Sequence, residues 1–303
     1  MPPVQALVIF AVGLAAGTIN TVVGSGTLIT FPTLLAFGYP AVLANVSNNV
    51  GLVPGVASGV HGYRAELTGQ RRRIIRLGSA SVCGGLVGAI LLLVLPASAF
   101  KDIVPALIFV AVAMVVVQPW LARWMAARQL ARAAARAGDT DPARRLGPSP
   151  GAGYGPGASG AGTTGGADTV TAVSVLPETG VAQRAEAIGG PVLWVLVFAT
   201  GVYGGYFGAA QGVLLIGMLG IALGDTLQRV NAVKNVLAGL VNGVAAVVFI
   251  ALAHVDWGVA GLIAAGSILG GQLGARIGRR LPPWGLRLLI VCVGAVALVK
   301  LLA

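Results

Sequence analysis

Asparagines, small hydroxyl residues, glycines and one lysine are the groups in this 303-residue chain that could bind a ligand, and they lie inside long apolar stretches. Two Asn-x-x-x-Asn pairs are the clearest signal, Asn45 with Asn49 and Asn231 with Asn235. Polar groups in an apolar interior must pair or face a water-filled cavity. Their clustering beside glycine-rich stretches predicts a ligand cavity, the alternative being hydrogen bonds that only join packed helices. The predicted cavity residues are Asn20, Thr21, Gly24, Ser25, Gly26, Thr27, Asn45, Asn48, Asn49, Gln211, Gly212, Asn231, Lys234 and Asn235.

Lys234 takes the place in the second cluster that Asn48 holds in the first. One interpretation is that its side chain extends to the membrane surface near Arg229, about 7.5 Å away along a helix. The other is that its ammonium attracts an anion, together with backbone N–H groups at helix starts near Gly24 and Gly212. The nine carboxylates all lie in predicted loops or at segment ends. An interior with one cation and no acid favours an anionic ligand.

The remaining reactive side chains form no catalytic or metal-binding pattern. His61 and His254 end their segments without metal-ligand spacing, and Cys83 and Cys292 are isolated in apolar sequence. We therefore expect neither an enzyme nor a cofactor or metal site. The usual intramembrane acid for proton transfer is also missing, which leaves the identity of any coupling ion open.

The composition places these residues in a membrane protein. The chain is 56% hydrophobic and 10% charged, whereas soluble domains average about 25% charged residues. Apolar segments of about 20 residues recur, the length that crosses a hydrocarbon core of about 30 Å. The chain is therefore predicted to be an all-α polytopic membrane protein, and its net charge of +11 does not indicate a nucleic-acid binder.

The apolar segments form two matching sets of five. At a constant offset of 186, the two asparagine pairs align and residues 81–89 align with 267–275, which indicates an internal duplication. The second segment of each set, about 12 residues long, would reach only about 18 Å and is predicted to be a broken or half helix. The segments are 3–23, 27–38, 41–62, 77–96 and 103–121, then 190–211, 212–223, 230–253, 256–275 and 285–302.

The arginines indicate that the two sets cross the membrane in opposite directions. Five arginines lie between the third and fourth segments of the first set, and none lies at the equivalent place in the second. Four arginines lie in or directly beside the connection between the last two segments of the second set, and none at the equivalent place in the first. By the positive-inside rule the chain is predicted to form two inverted-topology repeats, 1–121 and 190–303, with all 17 arginines on the cytoplasmic side.

Residues 122–189 separate the two repeats. They begin with a basic, alanine-rich stretch that could lie against anionic lipid and continue into sequence rich in glycine, alanine and proline. Because such a composition cannot bury a core, this part is predicted to be a disordered cytoplasmic linker.

Residues 17–28 read Gly-Thr-Ile-Asn-Thr-Val-Val-Gly-Ser-Gly-Thr-Leu and are followed by Pro32, Leu34-Leu35, Gly38-Tyr39-Pro40 and Ala44-Asn45. With residues 266–275, this pattern resembles the sulfite exporter TauE/SafE family, also called the toluene sulfonate uptake permease family. Ser25 and Thr27 stand where that family often has consecutive glycines, and the long linker is atypical. The resemblance implies a multi-pass permease of the plasma membrane for sulfite, sulfonates, sulfoacetate, thiosulfate or related organic anions.

Residues and resemblance together favour a secondary transporter that moves a small, sulfur-containing anion by alternating access. Its expected partners are that anion and membrane lipid, and the sequence is compatible with a monomer or a homo-oligomer. The alternatives are an anion channel built from the same polar groups and a membrane scaffold or sensor whose linker recruits a partner. The direction of transport is open.

Overall fold

The computed structural model describes residues 1–139, 179–223 and 225–277, and in these ranges it contains helices and no strand. The predicted all-helical class is therefore confirmed, while the last predicted segment, 285–302, lies outside the described residues. The described α-helices are α1 (Pro3–Val22), α2 (Thr27–Ala36), α3 (Ala41–Gly62), α4 (Arg71–Val94), α5 (Ala97–Asp139), α6 (Thr179–Tyr206), α7 (Gln211–Leu223), α8 (Leu227–Leu252) and α9 (Trp257–Ile277), with a 3₁₀ turn at Arg64–Leu67.

The chain forms two compact units. One comprises residues 1–125 and 189–303, and the other comprises residues 126–188. The predicted linker is helical at both of its described ends, since α5 continues to Asp139 and α6 begins at Thr179.

Five of the described helices are long and apolar enough to cross a membrane. These are α1, α4, the first half of α5, α8 and α9. Helix α3 is as long, with 22 residues, but its three asparagines lower its mean hydropathy. Helices α2 and α7 have 10 and 13 residues, so they reach only about 15 and 20 Å and are too short to span alone. The two short segments predicted from the sequence are therefore present as half helices.

Glycines bring the helices of the two halves into backbone contact. On one side α1 packs on α9, where a Cβ on Gly17 would lie 2.7 Å from the Cα of Ser267. On the other side α6 packs on α4, where a Cβ on Gly201 would lie 3.1 Å from the Cα of Gly84. Helices α3 and α8 complete the pattern by packing on α9 and α4. The first and third helices of each half thus pack on the fourth helix of the other. This symmetry is compatible with the predicted duplication, and the inverted orientation in a membrane stays a prediction.

Arginines from both halves meet at one end of the bundle, here called the arginine-rich end. The guanidinium of Arg229 donates to the carbonyl of Thr68, in the connection before α4. Gly62, at the end of α3, contacts Ala275 and so places Arg276 at the same end. This is the end that the sequence predicts to face the cytoplasm.

Aromatic rings fix the short helix α2. The ring of Phe31 in α2 packs edge-to-face on Phe207, just after α6, with ring centroids 5.2 Å apart. It also contacts Phe100 in α5 at 6.3 Å. Such contacts between rings add to the free energy of burial. Half helix α2 of the first half is thereby held against the turn between α6 and α7 in the second half.

Candidate functional site

The two interruptions between helices that precede the half helices α2 and α7 are in contact. Gly24 has a φ of +93°, and its carbonyl accepts a hydrogen bond of 3.1 Å from the amide of Gly212. A Cβ on Gly24 would lie 2.8 Å from the carbonyl carbon of Gly212, so a side chain has no room there. The starts of α2 and α7 therefore lie side by side, and each contributes the positive end of its helix dipole.

Asparagines at equivalent positions hold the ends of the first helices. The amide of Asn45 donates to the carbonyl of Tyr206 at the end of α6, at 3.0 Å. The amide of Asn231 donates to the carbonyl of Thr21 near the end of α1, at 3.2 Å. Carbonyls in the last turn of a helix lack partners within it. An asparagine of each half thus donates a hydrogen bond to a carbonyl at the end of the first helix of the other half.

Lys234 is fully buried, with 0% of its surface exposed. Its ammonium donates to the carbonyls of Asn20 at 2.9 Å and Thr21 at 3.3 Å, at the negative end of the α1 dipole. Of the two interpretations of this lysine, extension to the surface is not the arrangement observed. An ammonium has three donors, and within the described part of the chain two are used. The third can meet a ligand.

Several other predicted site residues carry buried polar atoms without a protein partner among the described residues. A buried polar group left unpaired costs about 1–3 kcal/mol, so such groups normally bind a ligand or ordered water. These atoms are grouped around the two interruptions between helices. This grouping supports a polar cavity rather than hydrogen bonds that only join packed helices. The atoms are Ser25 Oγ, Asn48 Oδ1, Asn49 Oδ1, Gln211 Nε2 and Asn231 Oδ1.

The structure brings the predicted residues together in two connected groups. Around the end of α1, Thr21 receives hydrogen bonds from Asn231, Lys234 and Asn235. Around the start of α2, the amide of Asn48 donates to the hydroxyl of Thr27. All the predicted residues are buried except Asn20, which is half-buried and contributes its carbonyl. Tyr206 was not predicted, because it takes part through a backbone carbonyl that any residue possesses.

The charge found in the described part of this interior has one sign, positive. The described buried polar residues include one charged group, the ammonium of Lys234, and no aspartate or glutamate. The described residues also contain no group of three or more histidine, cysteine or acidic side chains that could hold a metal ion. Its electrostatics therefore suit an anion better than a cation.

A cluster of ionic groups joins the two halves at the arginine-rich end. The carboxylate of Asp225 receives the Arg73 guanidinium on Oδ2 and the Arg229 guanidinium on Oδ1, both at 3.0 Å. Gln70, which is 3% exposed, accepts from Arg73 at 2.6 Å and donates to the carbonyl of Arg229 at 3.3 Å. Partial burial alone would raise the pKa of the Asp225 carboxyl, but the hydrogen bonds from Arg73 and Arg229 outweigh it and hold this pKa below its usual value.

We expect this cluster to make stability depend on pH. Because the pKa of Asp225 is lower in the folded protein than its ordinary value of 3.8, its contribution is present above that value and is lost as the pH falls below it. At pH 6, Asp225→Asn should lower the unfolding temperature in detergent by roughly 2–4 °C. The difference from wild type should shrink as the pH approaches 3. A constant difference across that range would show that the carboxylate charge is not the cause.

Comparison with known proteins identifies one family. A family model described as sulfite exporter TauE/SafE matches residues 9–301, which is nearly the entire chain. That family consists of membrane transporters of sulfite or related anions, which agrees with the five apolar helices. Neither the curated proteins nor the solved structures compared with the chain give a significant match. The chain is therefore a multi-pass membrane transporter that belongs to the sulfite exporter TauE/SafE family.

Proposed function

We propose that this protein is a secondary transporter that carries a small oxyanion, sulfite or a sulfonate, across the plasma membrane by alternating access. The observation that supports this most is the environment of Lys234. Its ammonium is buried without a described acidic partner, and it retains one unused N–H beside the chain that leads to Gly24. An anion would complete its hydrogen bonding and neutralise its charge.

The surrounding donors match an oxyanion. The hydroxyl of Ser25 and the side-chain amide of Gln211 are buried and unpaired, at the starts of α2 and α7. Sulfite and sulfonates present three oxygen acceptors on one sulfur. In the proposed complex these oxygens receive hydrogen bonds from Lys234, Ser25 and Gln211, and the dipoles of both half helices add to the attraction.

Alternating access is supported by how the halves are joined. Their contacts run through glycines and small side chains, which allow packed helices to slide, and the proposed site lies where the two interrupted helices meet. Rocking of one repeat against the other would open the site first to one side and then to the other. In this proposal the arginine-rich end and the linker are cytoplasmic.

Counterflow in proteoliposomes tests the proposal. Vesicles loaded with unlabelled sulfite should transiently concentrate external ³⁵S-sulfite, and the initial rate should saturate with concentration. Protein-free vesicles are the control. Ohmic sulfite currents without counterflow would instead identify an anion channel, and the absence of any sulfite-dependent flux in either direction would contradict the proposed substrate.

A further inference from the structure

The ionic cluster at the arginine-rich end has the geometry of an oxyanion site. One carboxylate is held by two guanidinium groups, from Arg73 in α4 and Arg229 in α8, each at 3.0 Å from a different oxygen. Two arginines that converge on a pair of oxygens are the arrangement with which proteins bind carboxylates, phosphates and similar anions. In this structure the anion is the protein's own Asp225.

The cluster shares helix α8 with the central site. Arg229 and Lys234 are five residues apart on α8, which corresponds to about 7.5 Å along the helix axis. The side chains of Arg73, Asp225 and Arg229 are 29%, 22% and 35% exposed. A dissolved anion can therefore reach the arginines, while partial burial keeps their charge from being fully screened.

The cluster also connects the parts that must move in alternating access. Asp225 follows the half helix α7, whose other end touches Gly24 at the centre. Arg73 belongs to the other half of the chain. The bond between them ties the outer end of α7 to α4, so that breaking it releases this end of α7 from the opposite half.

At the opposite end of the bundle, the described residues at the equivalent positions do not form this arrangement. At the offset of 186, the positions of Asp225, Arg229 and Arg73 correspond to Tyr39, Leu43 and Val259. The position of Gln70 corresponds to Asp256, whose charge, after desolvation of the phenol, contributes to raising the pKa of Tyr39. One end therefore has two cations around a tethered carboxylate, and the other has an acid and no arginine among these positions.

We propose that Arg73 and Arg229 form a second binding site for the small oxyanion, at which the carboxylate of Asp225 occupies the site when no anion is there and is displaced by the anion during transport. This inference rests on the proposed function for the nature of the anion, but the site can be tested without transport. Asp225 then acts both as a competitor that weakens anion binding and as the latch that closes this end.

Removal of the competing carboxylate is the direct test. In the purified full-length protein, Asp225→Asn should bind a second equivalent of sulfite, or bind it about tenfold more tightly, by isothermal titration calorimetry. The added affinity should disappear in Arg73→Gln/Asp225→Asn. Asp102→Asn removes an exposed carboxylate and Arg72→Gln an exposed arginine, so both should titrate like the wild type and thereby control for net charge.

Two further measurements separate the possible failures. Lys234→Met/Asp225→Asn should still bind one equivalent of sulfite, even if the central site is inactive or the proposed transport is wrong. Should Asp225→Asn not be monodisperse, hydrogen exchange of the wild-type segment 225–230 should increase when sulfite is added. A sulfite isotherm for Asp225→Asn identical to wild type, added affinity that survives Arg73→Gln, or unchanged exchange at 225–230 would each overturn the proposal.

Discussion

Replacement of Lys234 by methionine is expected to reduce sulfite counterflow by roughly 100-fold without destabilising the protein. Removing one partner of a buried charged contact commonly costs about 2–5 kcal/mol in binding, and each 1.4 kcal/mol is tenfold. Stability should respond differently, because a buried ammonium without a counter-charge is costly and methionine fills a similar volume. We therefore expect the unfolding temperature in detergent to stay constant or rise.

Lower flux combined with unchanged or higher stability would distinguish a role of Lys234 in binding from a structural role. If Lys234 only joins α8 to the end of α1, its removal should lower both flux and stability, since the carbonyl of Asn20 loses its described partner. Thr200→Val is a matched control, because it also removes a buried polar group, one that donates within its own helix to Leu196. It should change flux by less than about twofold. Unchanged flux in Lys234→Met would show that Lys234 does not bind the transported anion.

Substitution of Gly24 by alanine is expected to prevent assembly of the site. The left-handed conformation of Gly24, with φ +93°, costs an alanine about 1–2 kcal/mol. In addition the new Cβ would lie 2.8 Å from the carbonyl carbon of Gly212, and overpacking costs typically about 1–3 kcal/mol. The two effects together should lower the free energy of unfolding by roughly 2–5 kcal/mol and abolish counterflow.

Gly38→Ala separates the two causes. Gly38 has nearly the same conformation, with φ +86°, but a Cβ there would meet nothing within 4 Å. It should therefore show only the conformational cost and retain transport. Thermal unfolding in detergent and size-exclusion profiles of the two variants provide the comparison. An equal loss of stability in Gly24→Ala and Gly38→Ala would show that the contact between Gly24 and Gly212 is not important.

Much of the architecture follows from local sequence. Hydropathy identifies the spanning helices, and the shortness of segments 27–38 and 212–223 correctly predicts that α2 and α7 are half helices. The asparagine pairs identify positions that are buried and polar in the structure. These features could be predicted because segment length and polarity act on each helix directly, whatever its neighbours are.

The contacts of the site could not be predicted in the same way. The sequence left Lys234 between the membrane surface and an interior anion site, and the choice depends on where the end of α1 lies. Thr21 is the acceptor for Asn231, Lys234 and Asn235, although it is more than 200 residues away in the chain. It acts through its backbone carbonyl, which leaves no signature in residue type.

The sequence by itself determined that this chain is an all-helical membrane protein and predicted a duplicated, polar interior without acidic residues, because composition, segment length and repeated motifs are properties of the chain alone. Only the tertiary structure decided that Gly24 touches Gly212, that Lys234 turns inward to the carbonyls of α1, and that Asp225 bridges Arg73 and Arg229. Those contacts join residues from opposite halves, and their existence depends on how closely glycine-lined helices approach one another. The physical reason is that hydropathy acts within a segment, whereas hydrogen bonds and ion pairs require a distance that only the packed fold sets.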